Sequence, residues 1–181
     1  MKGIRKFCKL MIVLITITVV SCNKNKKIDA ETNTENIDLN QIDSSAKVEF
    51  LDEETQEIYN LYLTIKDALV NSDSETVQAE SKKLEAVIDP SKEKEQLKAT
   101  LKLISLTKDI AKQRDFFVTL TSEVEKLINK TEIKSGVVYM QFCPMAFDGE
   151  GGYWLSDSKE IRNPYFGNKM LKCGSIKNIL K

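Results

Sequence analysis

Four amphipathic segments constrain the fold of this chain more than any other feature. From Leu51 onward, apolar residues recur at spacings of three and four in segments of roughly 15–20 residues, the pattern of a helix with one buried face. Short polar links join the segments, which leaves no room for crossover connections. The stripes include Ile58, Tyr62, Ile65 and Leu69, then Val77, Leu84 and Ile88, then Leu97, Leu101 and Ile104, then Phe117, Leu120, Val124 and Ile128. We therefore expect an antiparallel four-helix bundle over residues 51–135.

Local signals predict where some of these helices begin and end. Ser72 and Glu75 fit the spacing of a capping box for the second helix, and Asp89-Pro90 is expected to end it. The third helix is expected to begin near Ser91. For the fourth helix the start stays open, because residues 113–118 could be either a bend or helix.

After Gly136 the composition changes and indicates a small β-containing subdomain. The β-branched and aromatic run 137–142 predicts a strand, and Tyr153–Leu155 predicts a second strand that forms a hairpin with it. Residues 163–167 predict a tight turn, and 168–173 one helical turn. The expected fold class is thus mostly α, with a C-terminal β-hairpin and loop subdomain at 136–178 packed on the bundle.

The first 22 residues have the pattern of a targeting segment. A basic start is followed by an apolar run, Leu10–Val20, that is shorter than the ~20 residues needed to span a bilayer. The run ends in Val-Val-Ser-Cys22, which resembles the lipobox of bacterial lipoproteins and implies that Cys22 is lipidated. Polar residues 23–50 are expected to form a disordered tether. We therefore expect a lipid-anchored protein of the cell envelope that faces the periplasm, on the outer rather than the inner membrane.

Composition excludes several classes of function. The chain contains no His, so catalysis by Ser-His-Asp or Cys-His and His-ligated zinc are ruled out. Basic and acidic residues number 27 each, and the first 22 residues hold four basic and no acidic ones, so the remainder is net acidic. An acidic chain does not favour nucleic acid as a partner. Neither a Cys-x-x-Cys pair nor a Gly-rich phosphate loop is present, and we expect no enzymatic activity.

Four sulfur-bearing residues of the tail are the candidate site. Cys143 and Met145 lie around a proline, and Met170 and Cys173 are three apart, so that each pair can project from one corner or one turn. Two thiolates with two thioethers suit Cu(I), a soft ion. The same two cysteines could instead form a disulfide that closes a loop of thirty residues, worth roughly 3–4 kcal/mol. The residues alone leave both possibilities open, and also a third, in which the two thiols are free and buried.

The motifs of the tail resemble those of a known family. The segments Phe142-Cys-Pro-Met-Ala-Phe, Glu160-Ile-Arg-Asn-Pro-Tyr-Phe-Gly167 and Lys169-Met-Leu-Lys-Cys-Gly174 look like a family of unknown function. That family occurs in Bacteroidota lipoproteins and is also appended to periplasmic adaptor subunits of Cus-type heavy-metal efflux systems. The resemblance covers about residues 53–178 and implies extracytoplasmic handling of a heavy metal, Cu(I) above all, with efflux components as partners.

Two functions follow as expectations. The first is a membrane-tethered protein that binds copper through Cys143, Met145, Met170 and Cys173 and takes part in efflux or homeostasis. The alternative is a module for protein–protein interaction in the envelope, in which the two cysteines form only a structural disulfide.

Overall fold

The computed structural model of the chain describes residues 47–181, which are mostly helical with a small C-terminal β-sheet region. The helices are α1 (Glu53–Val70), α2 (Ser74–Val87), α3 (Glu95–Leu106) and α4 (Ile110–Ile128). The strands are β1 (Glu49–Phe50), β2 (Ile133–Ser135), β3 (Val138–Cys143), β4 (Gly152–Ser156) and β5 (Ser175–Leu180). The predicted signal segment 1–22, its Cys22 and residues 23–46 lie outside the described residues. The helical class with a small C-terminal sheet is therefore confirmed.

Each helix packs against the next along the chain, and α4 also packs against α1. The predicted stripes line this contact: Ile58, Tyr62, Ile65 and Leu69 of α1 and Phe117, Leu120 and Val124 of α4 are all nearly inaccessible to solvent. These stripes are thus confirmed as buried faces, whereas Val87, Leu103 and Leu106, which the spacing also assigns to the buried faces, are exposed. The antiparallel four-helix arrangement itself stays a prediction.

Aspartates cap α1, α2 and α4, and in α2 an aspartate takes the place of the predicted serine. Asp73 accepts a hydrogen bond from the backbone N–H of Thr76 at 3.1 Å and is the N-cap of α2. Ser72 lies before this cap with φ of +57°, so the predicted capping box of Ser72 and Glu75 is wrong. The carboxylate at 73 satisfies the free N–H groups, so the cap lies one residue later than expected. Residues 113–118 lie within α4, which excludes the bend considered above.

Two β-sheets flank the helices. The first joins β1 and β2 in antiparallel fashion, and Val48 and Phe50 beside it are buried in the core, so the expected tether of residues 23–50 overlaps the ordered structure at its end. The second has the strand order β4-β3-β5 and is antiparallel throughout. Pairing of Phe142 with Tyr153 confirms the predicted hairpin. Strand β5 was not expected from the sequence.

The second sheet packs on the helices mainly through β4. Tyr62 of α1 links the layers, because its buried hydroxyl accepts a hydrogen bond from the backbone N–H of Leu155 at 2.9 Å. The same hydroxyl contacts the Thr121 hydroxyl of α4 at 2.9 Å. In the described part of the chain, none of the helices has the length and apolar character that a membrane crossing requires.

Candidate functional site

Cys143 is held at the end of the central strand of the second sheet. It is the last residue of β3, pairs with Gly152 of β4 and is fully buried. Pro144 has no N–H to donate to a ladder, which explains why the strand ends directly after the cysteine. The thiol at 143 therefore has a fixed position, set by backbone pairing and not by a mobile loop.

Cys173 reaches the same point from the far end of the tail. Its backbone N–H donates to the Met170 carbonyl at 3.0 Å in a turn. The helical turn expected over 168–173 is present only as a 3₁₀ turn at Gly167–Lys169, before this cysteine. Strand β5 begins two residues later, and Ser175 pairs with Phe142. This antiparallel register returns the residues before β5 to the residues after Phe142, and the two sulfur atoms, Cys143 Sγ and Cys173 Sγ, lie 2.9 Å apart without a bond.

Gly174 makes this close return possible. Its φ is +150°, and a Cβ at this position would lie 2.8 Å from the indole ring of Trp154 and 3.0 Å from the Phe142 carbonyl oxygen. Such distances are shorter than real Cβ contacts, so only glycine allows the chain to pass over the buried Trp154. The Cys-Gly pair of the sequence is thus one structural unit.

Asn163 holds the turn that carries Cys173, a role that the sequence reasoning missed. Its fully buried side chain donates through Nδ2 to the Cys173 carbonyl at 2.9 Å, and its Oδ1 accepts from the backbone N–H of Tyr165 at 2.8 Å. The Asn163 backbone N–H donates to the Leu171 carbonyl at 2.9 Å. An asparagine before a proline is a frequent turn signal, but its long-range hydrogen bond to the residue at 173 has no local signature.

Arg114 of α4 attaches this tail to the helices. Its Nε donates to the Pro164 carbonyl at 2.8 Å, and its guanidinium also donates to the Leu69 carbonyl at 3.0 Å and the Ser72 hydroxyl at 2.9 Å. Burial lowers the pKa of Arg114 from its ordinary value. A guanidinium nevertheless keeps its charge in proteins at neutral pH.

The surroundings of Cys173 favour the protonated form of its thiol. The neighbouring Cys143 is the main cause that raises the pKa of Cys173 to about 11, and burial adds to it. The backbone N–H of Met145 donates toward the Cys173 sulfur and acts in the opposite direction. A metal ion that binds the Cys173 sulfur must therefore displace its proton, which couples the affinity for the ion to pH.

The two methionines are less enclosed than the thiol of Cys143. The side chain of Met145 is 57 % exposed, and Met170 is partly exposed. No group of three or more His, Cys, Asp or Glu side chains that could hold a metal ion occurs in residues 47–181. A metal at this place would thus depend on sulfur ligands alone, namely the two cysteines with one or both thioethers.

Comparison with known proteins gives one match. Residues 58–136 match the model of a family described as protein of unknown function (DUF3347). The matched region covers the four helices from the second turn of α1 and ends before β3, so it does not include the two cysteines. No curated protein and no solved structure matches the chain. The expected domain of unknown function is therefore confirmed, while its lipoprotein and heavy-metal context stays a prediction.

Proposed function

We propose that this protein is a lipid-anchored envelope protein that binds Cu(I) through Cys143 and Cys173. The contact of the two sulfur atoms, at 2.9 Å, is the observation that carries this proposal. Two segments that are thirty residues apart in sequence converge at their only cysteines, and soft thiolate ligands are what Cu(I) selects. Buffering of copper, or its transfer to an efflux system, is the role that fits a copper-binding protein tethered to the membrane.

Binding requires a small movement of one sulfur. With metal–thiolate bonds of ~2.3 Å and a tetrahedral angle, the two sulfurs would be separated by ~3.8 Å, about 0.9 Å more than the 2.9 Å between them in the structure. Cys143 is fixed by the β3–β4 ladder, whereas Cys173 lies in a turn between two hydrogen-bonded segments. We therefore propose that Cys173 moves outward to admit the ion.

The exposed Met145 is the best third ligand. Its backbone N–H already faces the Cys173 sulfur, so its side chain begins close to the thiol pair and is free to turn toward a bound ion. Met170, the fourth predicted ligand, lies three residues before Cys173, in the same turn. A soft thioether completes a thiolate pair without adding negative charge.

The alternative function rests on the same contact. Sulfurs at 2.9 Å are also close enough to close into a disulfide after a movement of less than 1 Å, since the S–S bond is ~2.05 Å. In that case the pair is a structural staple, and the protein acts as an interaction module of the envelope. Both states can belong to one protein, with copper bound to the reduced pair and a bridge in the oxidised one.

Copper stoichiometry under anaerobic conditions tests the proposal. The full chain is reduced, titrated with Cu(I) in the presence of a chromogenic Cu(I) chelator, and compared with the variant Cys143→Ser/Cys173→Ser. We expect wild type to retain one more copper ion per chain than the variant, which controls for Cys8 and Cys22. Equal stoichiometry in the two proteins contradicts copper binding at this pair and leaves the staple as the function.

Methionine variants test the rest of the ligand set. Met145→Leu keeps the size and the apolar character of the side chain and removes the sulfur. We expect it to weaken Cu(I) binding about tenfold, a loss of ~1.4 kcal/mol, with stoichiometry unchanged. Met140→Leu is the matched control, because Met140 is buried within β3 and belongs to the sheet. An unchanged affinity of Met145→Leu would show that the thioether at 145 is not a ligand.

A further inference from the structure

The two sulfurs of the pair differ in their access to solvent. Cys143 is fully buried at the end of the central strand, whereas Cys173 is partly exposed in the turn before β5. Thiol–disulfide exchange requires direct contact between the attacking thiolate and the sulfur under attack. Only one end of an oxidised pair can therefore be reached from outside without unfolding the sheet.

We infer that the oxidised pair is opened by an external dithiol reductant that attacks Cys173 and never Cys143. This inference rests on the proposed function, in which the reduced pair is the form that binds copper. It adds a partner of stated chemistry, a protein or small molecule with two thiols, and a fixed direction of exchange. Reduction by this partner is then the step that prepares the site for the metal.

The exchange is balanced in two steps. A thiolate of the reductant forms a bond to Cys173 Sγ, the Cys173–Cys143 bond breaks, and Cys143 leaves with the electron pair as a thiolate that takes a proton. The second thiol of the reductant then attacks the first, releases Cys173 as a thiol and leaves the reductant as a disulfide. Two electrons and two protons pass to the protein.

The charge of the tail favours this approach. No acidic residue follows Glu160, and Lys169, Lys172 and Lys177 are all exposed. Lys172 directly precedes the cysteine under attack. A cluster of positive charges of this kind attracts an anionic thiolate and raises its local concentration.

An attack on Cys143 would disrupt more backbone hydrogen bonds than an attack on Cys173. To reach Cys143, the reductant would have to separate its pairing with Gly152 in the β3–β4 ladder. At Cys173 the chain is held by the turn to Met170 and by the Asn163 side chain, while the sulfur itself stays partly accessible. Cys143, whose sulfur is the leaving group of the exchange, is thus the cysteine whose backbone is fixed in the sheet.

Site-resolved trapping tests the inference on the full chain. The protein is oxidised, treated briefly with glutathione, quenched in acid and alkylated in denaturant, and tryptic peptides are measured by mass spectrometry. Trypsin separates Cys173, in peptide 173–177, from Cys143, in peptide 135–159. We expect the glutathione adduct on Cys173 to exceed that on Cys143 at least about tenfold. Equal adducts, an excess on Cys143, or a pair that does not oxidise to a bridge would overturn the inference.

Single-cysteine variants give a second readout that does not depend on rearrangement of the adduct. An aromatic disulfide reagent that releases a coloured thiolate is added to Cys143→Ser and to Cys173→Ser, and the double variant supplies the background. We expect the thiol at 173 to react at least about tenfold faster than the thiol at 143. Equal rates in two variants that are as stable as wild type would contradict the inference. These measurements contain no metal, so a failure of copper binding and a failure of this inference are distinguishable.

Discussion

Replacement of Arg114 by methionine tests how the tail is fastened to the helices. The change keeps most of the side-chain stem and removes every donor, including those to the Pro164 and Leu69 carbonyls. The Leu69 carbonyl also accepts the backbone N–H of Ser72, so it does not lose its last partner. We expect the loss of stability to come mainly from the Pro164 carbonyl, which loses its hydrogen bond to Arg114. The turn at Pro164 leads to the segment that carries Cys173.

The magnitude follows from the number and setting of these hydrogen bonds. A hydrogen bond to a charged group contributes ~1.5–3 kcal/mol, and two such bonds to backbone carbonyls give an upper value of about 3–6 kcal/mol. Arg114 is only partly buried, so water replaces part of what is lost. We therefore expect a decrease of about 2–3 kcal/mol in the free energy of unfolding.

Urea unfolding followed by circular dichroism measures this value. Lys112→Met, an exposed position on the same helix, is the matched control and is expected to change stability by less than about 0.5 kcal/mol. Arg114→Lys keeps the charge but lacks the planar fork, and it should fall between wild type and Arg114→Met. A loss below about 0.5 kcal/mol in Arg114→Met would refute the idea that this side chain joins tail and helices.

Three further changes probe other parts of the fold. Tyr62→Phe removes the acceptor of the buried Leu155 N–H, and we expect thermal and urea unfolding to show a loss of about 1–3 kcal/mol, with no loss counting against the role of this hydroxyl. Asp52→Ala removes the cap of α1 and should cost about 1 kcal/mol at pH 7. Because hydrogen bonds from Thr55 lower the pKa of Asp52, this contribution is present above the unfolded pKa near 3.9 and disappears as the pH falls through the lower folded value. A difference between variant and wild type that does not shrink as the pH is lowered would contradict this cause. Gly167→Ala places a Cβ 2.7 Å from a backbone carbonyl at the end of α1, at φ of +57°, and should cost about 1–3 kcal/mol in the same assay; native stability in this variant would show that the turn adapts.

Periodicity made the helical part of the fold predictable. Stripes such as that of Ile58, Tyr62 and Ile65 depend only on local spacing, and a face with that spacing must be buried somewhere. The position of a cap is less predictable, because Ser72 and Asp73 are both good capping residues and the choice depends on the chain path between α1 and α2. The carboxylate at 73 was the one in place to accept the Thr76 N–H.

Strand β5 could not be predicted from the pattern of its residues. Its apolar residues Ile176 and Ile179 are three apart, which does not fit the alternation of a regular strand. A register shift in its pairing with β3, between Met140 and Gln141, accommodates this spacing. Such an irregularity is set by the partner strand and has no local signal.

The two cysteines of the candidate site could be predicted from the sequence, but the residues that hold them in place could not. Cys143 and Cys173 were recognised as a pair because they are the two cysteines of the tail, and the structure brings them together. Asn163 and Arg114 were missed, since both act through hydrogen bonds to distant backbone carbonyls. The part of Met145 as a ligand stays a prediction, because Met145 is exposed and no contact of its sulfur with the thiol pair is seen.

X-ray absorption at the copper edge, on the anaerobically reduced full chain loaded with one equivalent of Cu(I), tests the central claim most directly. If Cys143 and Cys173 hold the ion, the first shell consists of two or three sulfur atoms at ~2.3 Å, and this shell is lost in Cys143→Ser/Cys173→Ser. A first shell of oxygen or nitrogen, or a sulfur shell that persists in the double variant, would contradict copper binding at this pair.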